Sequence, residues 1–384
     1  MSADHYDIIV AGTGSMGSAA CYYLAKSGLK VLGIDASGQV PHDRGSHGGQ
    51  SRIIRKAYFE EAAYVPLLER AYENWQQLES LTGETVYVPN GLLYKGPPDH
   101  PLIRGVKEAA DRFHIPLQSV SGTEYLQHFS QREDDVCLFE PDAGFLLPDN
   151  CIRLYLEEAE KLGARFVTGE PLQHWKKVNG NIQVTTSKRV LSADRLLITS
   201  GAGAAALLKE MQVPLRVTRQ VLLWVRPEQP RNFHPSHFPC WMQAAAAVEG
   251  VWYGFPFLPE DLVQGPSGLK LALHYPADET SLDTVNREVS PSEAGALLQQ
   301  AGHYFLPARS RPVAAQTCLY TMTPDEHFII DFLPGYDKEV MIACGFSGHG
   351  FKFASVIGEI LADMAIRGRT DLPVSFLSLS RFMP

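Results

Sequence analysis

Residues 345–353 read Gly-Phe-Ser-Gly-His-Gly-Phe-Lys-Phe, gathering a histidine, a lysine and three glycines into one short stretch. A strand-like apolar run, Val340–Cys344, leads in. Apolar residues then recur at Phe353, Val356, Ile357, Ile360, Leu361 and Met364, the three-and-four spacing of an amphipathic helix. Glycine permits positive φ and close backbone approach. The turn therefore aims a helix N-terminus, His349 and Lys352 at one small volume. A helix N-terminus attracts anions, and Lys352 adds a full positive charge. The chemistry this predicts is anion binding. The plainer alternative is a Gly-rich turn with an exposed lysine, common in α/β folds.

A second constellation opens the chain. Tyr6–Ala11 reads as a buried strand. Gly12-Thr13-Gly14-Ser15-Met16-Gly17 turns into a helix running to about Ser27, and Leu29–Ile34 is a second strand ending at Asp35. The G-x-G-x-x-G pattern signals a dinucleotide only in this strand–helix–strand context, with an acid about 20 residues on. Gly12 serves the tight turn, and Gly14 lets a pyrophosphate reach the backbone, with Ser15 and Met16 as further cofactor contacts. Gly17 lets helix and strand pack, and Asp35 accepts hydrogen bonds from a ribose. The motif does not separate FAD from NAD.

The elements between these two sites show how they meet. A polar segment, Gly45–Arg55, precedes a helix from about Tyr64 to Leu78. Residues 86–145 alternate short strands, prolines and acids. A helix Cys151–Leu162, with Asp149 and Asn150 as cap candidates, leads to a strand Arg165–Thr168. Trp175–Val178, Asn179-Gly180 and Ile182–Thr186 form a hairpin, and Arg195–Thr199 is a further strand. Strands Val217–Val225, Val251–Phe255 and Leu269–His274 follow. The pattern predicts an α/β chain of interleaved domains. Residues 1–85, 146–213 and 318–384 form a cofactor domain, and 86–145 and 214–317 form a second, mainly antiparallel one.

Composition narrows the classes. At roughly 150 residues per domain, 384 residues predict two or three domains. The net charge of −9 argues against nucleic acid. No apolar run approaches the roughly 20 residues of a membrane helix, and no secretory signal is visible. The six cysteines form no C-x-x-C, so neither a metal site nor a disulfide framework is expected. A cytoplasmic monomer is the expectation.

Together these segments resemble the monomeric sarcosine oxidase and N-methyltryptophan oxidase family of flavoenzymes. The matching pieces are Gly12–Gly17 with Asp35, Gly45–Arg55, Tyr253–Pro256, Leu269-Lys270, Cys318–Thr321, Asp325–Asp331 and Gly345–Phe353. They span nearly the whole chain in the family's order. The resemblance implies a Rossmann-like FAD-binding domain interleaved with a substrate domain. It implies FAD held covalently by Cys318, a residue that by itself reads as a small buried hydrophobe. Ser46, Arg52, Gly348 and Gly350 would join the cofactor contacts, with Arg52 near the flavin ring and the helix N-terminus facing its pyrimidine edge. The substrate is a secondary amino acid such as sarcosine, oxidised to an imine while dioxygen becomes hydrogen peroxide. Arg55 and Lys352 would clamp its carboxylate, and Lys270 would stabilise superoxide. His274, His349, Tyr253 and Tyr320 would line the substrate side. Alone, each lysine or arginine also reads as a solvated charge, and each histidine as structural.

The chain departs from the family pattern at Gly48, where a second histidine is common, and at Gln50, where an acid is common. Lys56 replaces another histidine, and Gly203 stands where tryptophan is frequent. Gly48 predicts room for a substrate larger than sarcosine. Alternatives are a fructosyl amino acid oxidase, a flavin dehydrogenase with another acceptor, and a non-catalytic flavin module.

Overall fold

The computed structural model describes residues 5–244, 249–274 and 277–383. Its first sheet has the strand order Leu172–Val178, Asn181–Thr186, Val190–Ile198, His5–Ala11, Val31–Ile34, Arg165–Val167. Strand Val340–Cys344 runs parallel to Val190–Ile198 and carries Ile329–Phe332 on its other edge. The central strands are parallel and read as continuous apolar runs, as sheets covered on both faces do. Helix Ser15–Lys26 covers one face, flanked by helices Pro148–Lys161 and Ala354–Arg367. The expected stripe of the last helix is buried at Phe353, Val356, Ile357, Ile360, Leu361 and Met364.

The second sheet is mainly antiparallel. It runs Glu279–Thr280, Arg216–Arg226, Leu269–His274, Val251–Phe257, Cys240–Ala244, Leu92–Gly96, Val136–Glu140, Gln118–Ser119. Strand Arg311–Met322 pairs along Arg216–Arg226. The boundary expected at 318 thus falls inside a strand of the second sheet. A small third sheet, Arg52–Ile54, Gly144–Leu146 and Tyr87–Val88, bridges the expected boundaries near 86 and 146. Among the described residues no helix is long and apolar enough to cross a membrane.

Two local expectations need correction. The helix expected at Cys151 begins at Pro148, and neither Asp149 nor Asn150 caps it. Proline at the first turn is preset for helix and has no N–H to satisfy. Residues 86–145 contain a helix, Pro101–Phe113, as well as strands.

Candidate active site

The first sheet delivers the opening turn. Among the described residues, the helix from Ser15 has no side-chain cap at Gly14 and no acid in its first turn, so its N–H groups remain available to an anion. Close approach explains two of the glycines. A Cβ at Gly12 would lie 2.6 Å from the Thr199 carbonyl oxygen, and one at Gly17 would lie 1.8 Å from the Gly12 oxygen. Asp35 is buried at the end of its strand. Its Oδ2 accepts from Thr13 N at 2.8 Å and its Oδ1 from Ser37 N at 2.8 Å. Oδ2 also accepts from the Thr13 hydroxyl at 3.2 Å, so Oδ1 is the oxygen that retains a further acceptor site.

A cavity of about 1090 Å³ runs from this turn to the 345–353 segment. Gly12, Gly14, Ser15, Met16 and Asp35 line one end, and Arg52, Cys318 and Gly348–Lys352 line the other. Its volume exceeds the ~1,000 Å³ upper range for a drug-sized ligand, which suits a dinucleotide with a small molecule beside it. The uncapped helix start and the acid at the strand end fit FAD.

Arg52 lies between cavity and loop. It donates to the carbonyls of Ser51 (2.8 Å), Ser46 (2.8 Å) and Gly48 (2.5 Å), and its Nη2 lies 3.9 Å from Cys318 Sγ. Among the described residues no carboxylate forms an ion pair with Arg52, although Asp149 lies near enough to feel its charge. Ser46 turns its hydroxyl to the Leu319 carbonyl at 2.7 Å, fixing the loop against the strand that carries Cys318. His47, buried beside Gly14, escaped the sequence reading. Burial, then the charges of His42 and Arg52, lowers its pKa to about 3.

Arg55 and Lys352 both line the cavity, as expected from widely separated positions. Arg55 is already engaged. Its Nη2 donates to both Glu60 oxygens at 2.6 and 2.7 Å, and its Nη1 donates to Ala57 O at 3.1 Å. Burial, the largest single effect, would raise the Glu60 carboxyl, but the charges of Arg55 and its other cationic neighbours, with the hydrogen bonds from Arg55, together outweigh it and hold the group at about 2. Lys352 Nζ donates to the His349 carbonyl at 2.6 Å, and Trp75 Nε1 fixes the Lys352 carbonyl at 3.0 Å. Burial, then the neighbouring Arg55 charge, lowers Lys352 to about 7, with Glu60 opposing.

The histidines are neutral. Burial lowers His349 to about 3 and His274 to about 4. His349 also lacks a free ring nitrogen. Nε2 lies 3.0 Å from the Glu326 carbonyl, which can only accept, so Nε2 carries the proton and Nδ1 accepts from the Tyr58 hydroxyl. It lines the cavity as a positioned wall, not as an acid or base. His274 Nδ1 lies 3.3 Å from Tyr320 OH, and Tyr320 is hydrogen-bonded in turn to Tyr253. Met242 and Phe255 complete the apolar wall.

Lys270 stands behind that wall and is not among the cavity-lining residues. Its Nζ donates to Gly49 O at 2.5 Å and Ser51 O at 2.7 Å. Gly48 does not line the cavity either. A Cβ there would meet the Asp43 backbone at 3.0 Å, so the missing imidazole opens no substrate space. Gln50 ties the loop elsewhere, accepting from Trp224 Nε1 at 2.7 Å and donating to Gln264 O and Pro266 O.

A parallel nucleotide-binding sheet sharing one long cavity with an antiparallel sheet defines a dinucleotide-dependent oxidoreductase. The chain belongs to the FAD dependent oxidoreductase family, whose pattern it matches over residues 7–364. It is 37% identical over 382 residues to a monomeric sarcosine oxidase from Streptomyces avermitilis, covering 98% of this chain and 97% of that one. It is 32% identical over 385 residues to an N-methyl-L-tryptophan oxidase from Yersinia pestis, covering 98% and 99%. The solved open form of NikD, an unusual amino acid oxidase, shares the fold with a TM-score of 0.84 at 20% identity, covering 98% and 97%.

Proposed function

We propose that the chain oxidises secondary amino acids, such as sarcosine or another N-methyl amino acid. The observation that carries this reading is the convergence of Arg55 and Lys352 on the cavity that Gly12–Gly17 and Asp35 open at its other end. The activities named for the two relatives support the substrate class.

FAD, when bound, supplies a two-electron acceptor that dioxygen reoxidises, yielding hydrogen peroxide. The chain's residues bind and orient. Lys352 and Arg55 hold the substrate carboxylate, which shares or displaces Glu60 at the Arg55 fork. Tyr253, Tyr320, Met242 and Phe255 wall the amine side. The same two cations disfavour a substrate ammonium and so favour the neutral amine that oxidation requires. Neutral His274 adds no positive charge. Water hydrolyses the imine product.

Cys318 Sγ is the proposed covalent anchor for the flavin; Arg52, whose Nη2 lies 3.9 Å from it, and the backbone N–H groups at the Gly350 end of the last helix would stabilise negative charge on a bound flavin. Lys270 serves the oxygen step from behind the wall. The strand carrying Cys318 belongs to the second sheet, so the proposed FAD and substrate domains interlock at the flavin. Six unpaired cysteines fit a reducing compartment, and a cytoplasmic monomer completes the proposal.

The test is a visible spectrum of the purified protein, followed by peroxide assays with sarcosine, N-methyltryptophan, pipecolate, proline and fructosyl-valine. A flavin spectrum, anaerobic bleaching and peroxide with an N-methyl amino acid are expected. Bleaching without peroxide in air moves the assignment to a dehydrogenase. No bleaching by any secondary amino acid sinks it.

A further inference from the structure

Tyr58 lies in the segment between Arg55 and Glu60 and is 1% exposed. It is not among the cavity-lining residues, so it cannot touch a bound substrate from where it stands. Its ring nevertheless meets both cations of the clamp. The Arg55 guanidinium carbon is 4.4 Å from the ring centroid, and Lys352 Nζ is 5.0 Å from it. Its hydroxyl donates to His349 Nδ1, and His349 supplies the carbonyl that holds Lys352 Nζ at 2.6 Å. One side chain thus contacts Arg55, Lys352 and the residue whose backbone orients Lys352.

The ring is itself fixed. Phe353 packs edge-on at 5.4 Å between centroids and 89°, and Tyr64 lies at 5.3 Å. Burial pushes the phenol well above its ordinary range, so it stays a neutral donor. Two like charges converging in a buried space repel each other, and an electron-rich ring face offsets part of that cost for each. Glu60 offsets it for Arg55 through a direct ion pair. Among the described residues no carboxylate forms an ion pair with Lys352, whose close partners are the His349 carbonyl, the Tyr58 ring at 5.0 Å and the Phe353 ring at 5.3 Å.

We propose that Tyr58 is the positioning residue of the carboxylate clamp, its ring face holding the Lys352 ammonium charged and in register with Arg55. This rests on the reading of Arg55 and Lys352 as the clamp. A carboxylate binds the ammonium form, so binding is present at low pH and is lost as pH rises through the Lys352 midpoint, near 7 in the free site. The groups facing Lys352 are Arg55, Glu60, His274, His349 and Tyr58. Both histidines are neutral and Glu60 charged across the range from pH 5.5 to 9, leaving Lys352 as the group that titrates there.

The experiment uses flavin-loaded protein and acetate as the probe, reading acetate binding from the flavin spectrum between pH 5.5 and 9. Position 58 carries Phe, trifluorophenylalanine or pentafluorophenylalanine, which hold the ring's shape while weakening and then inverting its quadrupole. Tyr58→Leu is an additional variant. Along the fluorinated series acetate affinity should fall about threefold to tenfold at neutral pH, and the pH midpoint should move down by about half a unit to one unit. A ring that merely fills space gives one affinity and one midpoint across the series, which overturns the proposal. If unsubstituted protein binds acetate in a way that requires Arg55 and Lys352 while the series stays flat, only the role of Tyr58 fails. If acetate binding ignores Arg55→Ala and Lys352→Met, the clamp reading fails with it. The fluorinated series keeps the test decisive should Tyr58→Leu not fold.

Discussion

Lys270 is a buried lysine whose Nζ donates to oxygens of Gly49 and Ser51 and lies 4.4 Å from the Phe255 ring centroid. Burial and the charge of Arg52 push its ammonium well below the ordinary lysine range. The charged form exists below that depressed value and is lost as pH rises through it. Stopped-flow reoxidation of reduced enzyme should therefore slow with rising pH, at a midpoint below ~10.4, where an exposed lysine titrates. Lys270→Met should remove that pH dependence and slow reoxidation at least ~10-fold, while anaerobic reduction changes far less; equal losses in both half-reactions would refute the oxygen role. Cys318→Ala should leave a folded protein whose acid precipitate is colourless and whose supernatant carries the flavin. Retained colour in the precipitate excludes Cys318 as the anchor. That Arg55, Lys352, Cys318 and Asp35 line one cavity was legible because each sits in a recognisable segment. Tyr58 and Glu60 were not, because they act through pairings in an aperiodic loop. The only local hint was an acid five residues after Arg55.

At the scale of elements, the strand Val340–Cys344, the turn after it and the buried stripe of the final helix all follow from apolar spacing. The hairpin at Asn179-Gly180 follows from turn chemistry, with both residues at positive φ. Helix Pro101–Phe113 was hidden by Gly105, which breaks the look of a helix but is needed there. A Cβ would lie 2.7 Å from the Phe59 carbonyl oxygen, and tertiary packing overrides propensity. The turn at Gly348 carries a sharper constraint. Its φ is +80°, and a Cβ would lie 2.3 Å from the Tyr320 ring. Gly163 has φ +96° but nothing within 4 Å of the same position. Gly348→Ala should cost about 2–4 kcal/mol by denaturant unfolding, and Gly163→Ala only about 1 kcal/mol, because the second pays backbone strain without overpacking. Equal costs would mean that Tyr320 yields freely and does not hold the turn.

At the scale of the whole molecule, the cavity draws its walls from both large sheets. The first, with the turn after its opening strand, supplies Gly12, Gly14, Ser15, Met16 and Asp35. The second supplies Tyr253, His274, Cys318 and Tyr320. Neither sheet encloses the cavity alone, so FAD bound there would contact residues that the chain brings together only when both are folded. A ligand that binds only the folded state stabilises it by RT ln(1 + [L]/Kd), about 2.7 kcal/mol at a hundredfold excess over Kd. The Cys318→Ala protein, stripped of flavin, would make this measurable, because without the proposed anchor its cofactor would exchange freely. Its melting temperature should rise with added FAD by a few degrees at ~100 times Kd and continue to climb logarithmically. Mutating either sheet's contribution should flatten that rise: Asp35→Ala from the first sheet, Tyr320→Phe in combination with His274→Ala from the second. Should FAD stabilise an early calorimetric transition while leaving a later one untouched, the two sheets would be independent units, and the proposed interlocking of domains at the flavin would be wrong.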